Sequence, residues 1–449
     1  MANEITQARL GILVGQRNYH ALRDMLVQMN EVDIANFLDA LPIQEAFIVY
    51  RMLPKQTASG VFVELNPDLQ AHLLLNITDN EITNLIEMLA IDDALDLLEE
   101  LPSELVVRIM KNTTYQTREL MNRYLSYPED SVGSIMTAEY IELQKEMTAM
   151  QAISHIRSVG ENKETIYTCY VIDKDNLLEG VVAIRDLMRT EQNALVGDIM
   201  YTNYIAIPTI HKSEEAAQML QKYSMMSLPV VDSENHLVGI VTIDDAADVL
   251  QEEATEDLEL MAGMAPSDTP YIATPVWTLA KNRFLWLLVL MISGIVSEMI
   301  LAQYETAISA IPLLVAFIPM LTDMGGDAGS QVSTLVIRGM ALGEIQLKNM
   351  PAVVLKEILV SVMVSVPLGI MNYFRIMLSH GNEAIVAFSI SLTLLCTITM
   401  ANVLGVILPM LAKKMRIDPA LMATPMIATL VDILSMMVYF GIASALLHI

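Results

Sequence analysis

Carboxylate side chains in two settings are the residues of this chain that could do chemistry. The first is Asp432, which interrupts an apolar stretch eight residues after Thr424. On a helix that position lies about 12 Å from the start of the stretch. An ionisable group at such a depth in a membrane is costly and usually faces a partner or an ion path. Since no basic residue of the apolar stretches lies at that depth, we interpret Asp432 as a cation-binding carboxylate. A hydrogen-bonded structural aspartate is the alternative.

The second setting is an acidic run that precedes the apolar part of the chain. Eight of the sixteen residues from 244 to 259 are Asp or Glu. The run contains no Gly or Pro, so it predicts a helix that leads toward the apolar part. Such a helix is either a solvated connector or, at this position, a gate element.

Five apolar blocks must position Asp432. They span roughly residues 284–303, 307–337, 351–372, 384–411 and 424–447. Each is long enough to cross about 30 Å of hydrocarbon as a helix. Lys and Arg cluster before the first block and after the second and fourth, which predicts a cytosolic N-terminus and a C-terminus outside. We therefore expect residues 276–449 to form a five-helix transmembrane domain in the plasma (inner) membrane.

The second block has an unusual sequence for a membrane span. Its 31 residues would measure about 46 Å as one helix, and Pro312, Pro319 and the glycine-rich residues 324–331 interrupt it. Broken backbone in a membrane must be buried in protein or line water. We expect a helix break at the glycines that lines a pore or an interface, with Asp327 tuning conductance there. A loop between two shorter segments is the alternative.

The charge and composition of the chain exclude some classes of protein. Among 449 residues there are 53 acids and 26 bases, and residues 271–449 hold nine of each, so the net charge of −27 lies wholly in residues 1–270. Such acidity argues against binding to nucleic acid. Residues 128–250 contain no Gly-rich phosphate loop, no His-x-x-x-His and no Ser-His-Asp arrangement, and we expect no enzyme activity.

The acidic part divides into two kinds of structure. Residues 1–127 contain acidic-apolar segments that end at proline, such as 33–42 and 93–102, and these predict stacked short helices in an all-α superhelix. Residues 128–250 repeat with an offset of 59 residues. The repeated pairs are Asp173 and Asp232, Gly180 and Gly239, and Asp186 and Asp245. Two α+β copies are expected, at 128–198 and 199–250, followed by the acidic connecting helix over 251–275.

These motifs together resemble a known family. The repeat resembles a tandem pair of cystathionine-β-synthase (CBS) domains, which are regulatory modules that often bind adenine nucleotides. The order of the parts resembles the MgtE magnesium channel/transporter family over essentially the whole chain. The most specific segments are 127–133, 253–257, 325–331 and 418–432. The resemblance implies a homodimer in membrane lipid that imports Mg²⁺ and is closed by cytosolic Mg²⁺.

The resemblance also implies particular binding residues. Asp432 would hold Mg²⁺ in the pore. The regulatory acids would be Asp92, Asp96, Glu214, Asp245, Asp248, Glu253, Glu256, Asp257 and Asp418. ATP in the CBS cleft would contact Arg185 and Asp186.

Three positions depart from the family pattern. Asp327 stands where asparagine is common, Gly60 where a metal-binding glutamate occurs, and Met225 where an aromatic residue stacks on ATP. These departures affect the pore charge, one metal site and the nucleotide site.

The predicted function is therefore a magnesium-selective channel or transporter. Divalent ions that bridge acidic cytosolic faces would favour a compact, closed state, because they bind that state more tightly. The alternative is a secondary carrier for a divalent ion such as Co²⁺, coupled to H⁺ or Na⁺ and regulated by the CBS pair. A membrane sensor without transport is a third hypothesis. Ohmic single-channel currents would indicate a channel, whereas dependence on a second ion's gradient would indicate a carrier.

Overall fold

The computed structural model describes residues 2–160, 163–267, 271–272, 274–380, 383–422 and 424–447. Its chain divides into two compact units, Met1–Gln251 and Glu252–Ile449. The first contains the helical N-domain and the repeated α+β domains, and the second contains the apolar helices. The predicted fold class is confirmed.

Ten short helices form the N-domain. They are α1 (Ala2–Gly15), α2 (Tyr19–Leu26), α3 (Glu31–Asp39), α4 (Ile43–Tyr50), α5 (Lys55–Val63), α6 (Pro67–Asn76), α7 (Asp79–Ile86), α8 (Ile91–Glu100), α9 (Ser103–Asn112) and α10 (Tyr115–Tyr124). The prolines that end the predicted segments begin the next helices, since Pro42 and Pro102 are the N-cap residues of α4 and α9. Proline suits a helix start because the first amides of a helix have no intrahelical acceptor.

The two repeats fold as matching α+β copies. The first contains β1 (Ile141–Leu143), α11 (Ala149–Val159), β2 (Thr168–Ile172), β3 (Leu178–Ala183), α12 (Ile184–Arg189) and α13 (Val196–Ile199). The second contains β4 (Ile207–Pro208), α14 (Ser213–Tyr223), β5 (Ser227–Val231), β6 (Leu237–Thr242) and α15 (Ile243–Met261). In each three-stranded sheet the first pair of strands is parallel and the second antiparallel.

The segments that open the two copies are exchanged between their sheets. Thr137 bridges to Ile240 on β6 of the second copy, and Tyr201 bridges to Val181 on β3 of the first. A side chain at Gly239 would meet Met136, and one at Gly180 would meet Met200. The two glycines therefore leave room for the exchanged methionines, and the copies interlock.

One continuous helix, α15, carries the acidic run. It begins at Ile243, inside the second copy, and ends at Met261. The sequence predicts a connecting helix over 251–275, but residues 262–267 are turn and irregular backbone. Gly263 has a positive φ of 72° two residues beyond the helix, as glycine near a helix C-terminus often does.

The second unit contains long helices and a six-residue one. They are α16 (Val276–Gln303), α17 (Glu305–Ala310), α18 (Ile318–Ala341), α19 (Met350–His380), α20 (Ala384–Lys414) and α21 (Thr424–Leu447). Four helical segments in the described residues are long and apolar enough to cross a membrane, and they contain α16, α19, α20 and α21. Helix α18 carries three charged residues yet packs against α20 and α21.

The predicted helix break at the glycines is wrong. Residues 324–331 lie inside the continuous helix α18, and the irregular stretch lies earlier, at Ile311 and the 3-10 helix Pro312–Phe317. Glycine is tolerated there because neighbouring helices approach closely. A Cβ on Gly329 would lie 2.6 Å from Ile427 Cγ2, and one on Gly405 would lie 2.6 Å from the Gly329 carbonyl oxygen. Small residues serve helix packing in membranes in this way.

Candidate ion pathway and regulatory acids

Asp432 lies on α21 and is half-buried within the second unit. The neighbouring helix α18 runs antiparallel to α21, as two glycines show. The Cβ position of Gly325 lies 2.7 Å from Val431 Cγ1, and that of Gly326 lies 3.4 Å from Ala428 Cβ. The segment around Gly325 and the segment around Asp432 therefore lie at the same level of the unit.

Asp323 is a second carboxylate at this level, and it was not among the residues predicted from the sequence. It is exposed on α18, two residues before Gly325, and its charge interacts with that of Asp432. The signal available in the sequence was the four-residue spacing of Asp323 and Asp327, which places both on one face of a helix. The structure thus places two acids at one level of the unit where the sequence predicted one.

A polar stripe runs along the exposed face of α18. Asp323, Asp327, Gln331, Thr334 and Arg338 follow one another at helical spacing, and all are exposed. Asp327, Gln331 and Thr334 line a groove of about 720 Å³ together with Ser330 and Leu335. Asp327 therefore belongs to a regular helix face rather than to a helix break. A stripe of this polarity on an apolar unit can face water or ions.

Acids also lie near one another in the first unit, between the N-domain and the CBS pair. Asp93 on α8 has its pKa raised to about 6, first by burial and then by the charges of Asp245, Glu139 and Glu64. Burial also raises the pKa of Glu164, with further contributions from Asp244, Asp245 and Asp93. Their mutual repulsion makes this junction a place where a cation would stabilise contact.

Asp245, at the start of α15, connects this junction to the acidic helix. Burial raises its pKa, while a hydrogen bond of 2.5 Å from Thr242 Oγ1 to its carboxylate lowers it. The charge of Asp248, one turn further along, raises it again. Glu139 has its pKa raised by burial, against the charge of Lys163. Asp93, Glu139 and Glu164 were missed in the sequence, because only packing brings them to Asp245.

The remaining predicted regulatory acids lie at separate places. Asp96 is exposed on α8, and the side chain of Asp92 lies outside the described residues. Glu214, in the first turn of α14, accepts a hydrogen bond of 2.8 Å from Gln218. Asp418 accepts one of 2.7 Å from the Ala420 amide at a 3-10 helix.

The three acids of the connecting helix share one element. Glu253, Glu256 and Asp257 all lie on α15, in the part that belongs to the second unit. Within the described residues, no three His, Cys, Asp or Glu side chains are grouped closely enough to hold a metal ion directly. The assignments of these acids as Mg²⁺ ligands stay predictions.

Gly60 leaves a space that another carboxylate fills. A Cβ built on Gly60 would overlap the carboxylate of Glu31, which comes from the neighbouring helix α3. The carboxylate beside Gly60 therefore comes from a different helix. The sequence could not indicate this, because Glu31 lies 29 positions away.

The predicted nucleotide residues lie at the start of α12. Asp186 has a buried carboxylate oxygen, Oδ2, without a hydrogen-bond partner in the described structure. Arg185 is largely exposed, and its Nε lies 3.7 Å from Asp186 Oδ1. The Asp186 carboxylate can accept a hydrogen bond from a ribose hydroxyl. The exposed Arg185 guanidinium can pair with a phosphate. Met225 lies beyond α14 and is partly buried.

Family models match the N-domain, the CBS pair and the apolar helices of this chain. A family model described as a divalent cation transporter, MgtE, matches residues 318–442. The MgtE intracellular N domain matches residues 29–130, and CBS domains match 132–193 and 196–252.

Relatives of known name cover nearly the whole chain. The magnesium transporter MgtE of Thermus thermophilus is 32% identical over 95% of both chains. That of Bacillus subtilis is 30% identical over 98% of this chain and 97% of its own. The crystal structure of the cytosolic domain of the Mg²⁺ channel MgtE in complex with ATP matches with a TM-score of 0.51 and 31% identity. It covers 54% of this chain and 99% of that one.

Proposed function

Because the chain belongs to the MgtE family of magnesium transporters, we propose that it is a Mg²⁺ channel that two copies form and that cytosolic Mg²⁺ closes. Mg²⁺ would enter the cytosol through a path lined by α18 and α21. The observation that carries this proposal is the exposed polar stripe of α18 at the level of Asp432.

In a homodimer, the polar stripe of α18 could face the same stripe on the second copy. Ionisable side chains that face lipid are costly, by roughly 2.5–3.5 kcal/mol each near the bilayer centre on insertion scales. Asp323 and Asp327 are both exposed in the single chain. A second copy related by a two-fold axis would place the same stripe opposite, and the two faces could enclose water. The dimer is therefore the arrangement that best accounts for the charge on α18.

Hydrated Mg²⁺ suits the acids of this path. The ion prefers oxygen ligands, gives up water reluctantly and is usually bound with several waters in place. Carboxylates at one level can accept hydrogen bonds from those waters without replacing them. Asp432 from each of two copies would offset the charge of one such ion.

Regulation would act through the acidic junctions. Asp93 and Asp245 repel each other where the N-domain meets the CBS pair. Mg²⁺ bound near them would change repulsion into attraction and favour the compact state. Further acids on α15, Glu253, Glu256 and Asp257, lie on the helix that leads to the apolar unit. Their neutralisation by Mg²⁺ would couple the cytosolic state to the pore.

ATP would bind the CBS pair at Asp186 and Arg185. The unpartnered Oδ2 of Asp186 supports this assignment, because a ribose hydroxyl could donate to it. Met225 would contact the base through its thioether in place of an aromatic ring. Calorimetric titration of the purified protein with ATP tests the site. Asp186→Asn should abolish the heat of binding if the carboxylate is required.

Patch-clamp recording from the purified protein in liposomes tests the main proposal. We expect ohmic unitary currents carried by Mg²⁺ that close as Mg²⁺ rises on the cytosolic side. Flux that requires an H⁺ or Na⁺ gradient would instead show a coupled carrier. Currents that do not change with cytosolic Mg²⁺ would contradict the proposed regulation but would leave the transport assignment in place.

A further inference from the structure

Two acids border the gap between α18 and α21 at the level of Asp432, where the sequence predicted one. Asp323 and Asp432 contribute one carboxylate from each helix, and their charges interact. The helices meet tightly beside them, because a Cβ at Gly325 would lie only 2.7 Å from Val431 Cγ1. Like charges at one level repel each other, although solvent screens part of the repulsion because Asp323 is exposed. A cation bound near both carboxylates would offset their repulsion.

Arg375 is a basic residue near this end of α18, but its guanidinium has other partners. It donates to Asn372 Oδ1 at 2.9 and 3.2 Å, and it lies over the Phe317 ring at 5.4 Å. It contacts α18 at the sulfur of Met320, one turn before Asp323. The structure records no ion pair between Arg375 and Asp323 in the part of the chain that it describes.

A buried hydroxyl lies in the same gap. Ser435, one turn beyond Asp432 on α21, is 1% exposed, and its Oγ has no hydrogen-bond partner among the described residues. That Oγ lies 3.3 Å from the Cβ position of Gly325 on α18. A buried polar atom without a protein partner commonly bonds to water. The gap thus offers two anionic acceptors and a hydroxyl that can hold water beside them.

We propose that Asp323 is a second selectivity residue of the ion path and acts together with Asp432 on the water shell of a divalent cation. This inference rests on the proposed function and adds a residue to it. Asp432 from two copies supplies two negative charges and Asp323 would add two more, and this stronger negative charge favours a divalent cation over a monovalent one. The carboxylates accept hydrogen bonds from the waters, and the ion keeps its hydration. Ser435 would hold a water of the same network.

Mg²⁺ uptake into liposomes by the full-length protein tests the proposal, with a Mg²⁺-sensitive dye inside and external Mg²⁺ varied. The variants are Asp323→Asn, Asp323→Glu, Asp432→Asn and the Asp323→Asn, Asp432→Asn double variant. Glu298→Gln, which removes an exposed carboxylate from α16, is the matched control. Asp323→Ser gives a second neutral side chain, and only monodisperse protein is reconstituted.

Asp323→Asn and Asp323→Ser should raise the half-saturating Mg²⁺ concentration by about tenfold, which corresponds to about 1.4 kcal/mol. Asp323→Glu should stay within about threefold of the parent, like Glu298→Gln. The double variant should lose less than the product of the two single effects, because both carboxylates serve one ion. Monovalent leak without Mg²⁺ should rise in the same order.

Two results would overturn the role of Asp323. If the parent takes up Mg²⁺ and the neutral variants match Glu298→Gln, Asp323 does not contact the ion. If Asp323→Glu fails as badly as Asp323→Asn, the position depends on shape rather than charge. A parent protein that moves no Mg²⁺ would instead contradict the proposed function itself, and the inference with it.

Discussion

Asp432 is the residue on which the proposed ion path depends most directly. We expect Asp432→Ala to lower the apparent Mg²⁺ affinity by at least about tenfold and to weaken discrimination against monovalent ions, because a carboxylate whose charge interacts with that of Asp323 is lost. Reversal potentials measured with Mg²⁺ on one side and Na⁺ on the other report the selectivity directly. Unchanged selectivity in a folded, membrane-inserted variant would rule out Asp432 as the pore ligand.

Asp93 makes the N-domain junction sensitive to pH. Its pKa in the folded protein is raised to about 6, so its neutral form favours the packed junction. That contribution is present below about pH 4 and is lost as pH rises through about 6. In chelator, Asp93→Asn should therefore stabilise the protein by about 2–3 kcal/mol at pH 7.5 and by much less near pH 4.

Thermal unfolding of the full chain at several pH values measures this effect. Asp68→Asn, at an exposed position on α6, is the control for loss of one charge. A stabilisation by Asp93→Asn that is equal at all pH values would show that Asp93 does not titrate against its neighbours.

At the level of residues, the sequence located acids that stand out in composition and missed those that only packing brings together. Asp432 was recognisable because apolar residues surround it in the chain. Asp93 lies among other acidic residues, and the acids whose charges reach it come from elements distant in sequence. For Asp323 the local spacing with Asp327 indicated a shared helix face, but its relation to Asp432 depends on the packing of α18 against α21.

Among the elements, α18 depends on glycine for its packing. The Cβ of Gly405→Ala would lie 2.6 Å from the Gly329 carbonyl oxygen and 3.0 Å from Val332 Cβ. A backbone atom cannot move aside cheaply, so we expect a loss of about 1–3 kcal/mol. Gly441→Ala, on α21, would meet nothing within 4 Å and should be neutral or gain up to about 1 kcal/mol. Thermal unfolding in detergent, followed by size exclusion, compares the two, and equal midpoints would contradict the close approach.

The helices and repeats were largely predictable, but the glycine motif was misinterpreted. Apolar block length indicated α16, α19, α20 and α21, and the 59-residue offset matched β2 with β5 and β3 with β6. Glycine normally weakens a helix, which is why a break was expected at 324–331. Between membrane helices the missing side chain instead permits contact, and that advantage appears only once Thr397, Ala401 and Ile427 are in place.

At the scale of the whole molecule, acidic faces are the proposed Mg²⁺ sensor. Asp245→Asn, Asp248→Asn and Asp257→Asn together should remove the influence of Mg²⁺ on domain arrangement, because ligands and repulsion disappear together. Protection of residues 1–265 from protease by millimolar Mg²⁺ is expected in the parent and not in this triple variant.

A control variant removes the same number of charges elsewhere. Asp175→Asn, Glu191→Gln and Glu234→Gln change three exposed acids of the CBS pair. This variant should retain protection by Mg²⁺. Identical protection in all three proteins would show that the acids of α15 form only a solvated face.

The exchanged segments of the CBS pair also bear on the order in which the chain can be completed during synthesis. Tyr201 can reach Val181 as soon as it leaves the ribosome, because its partner has already been made. Thr137, in contrast, can form its bridge only after Ile240 has been synthesised, about a hundred residues later. At 5–20 residues per second that delay is roughly 5–20 s. The first segment thus lacks its bridge partner on the nascent chain, and ribosome pausing before residue 240 would prolong its exposure to other chains.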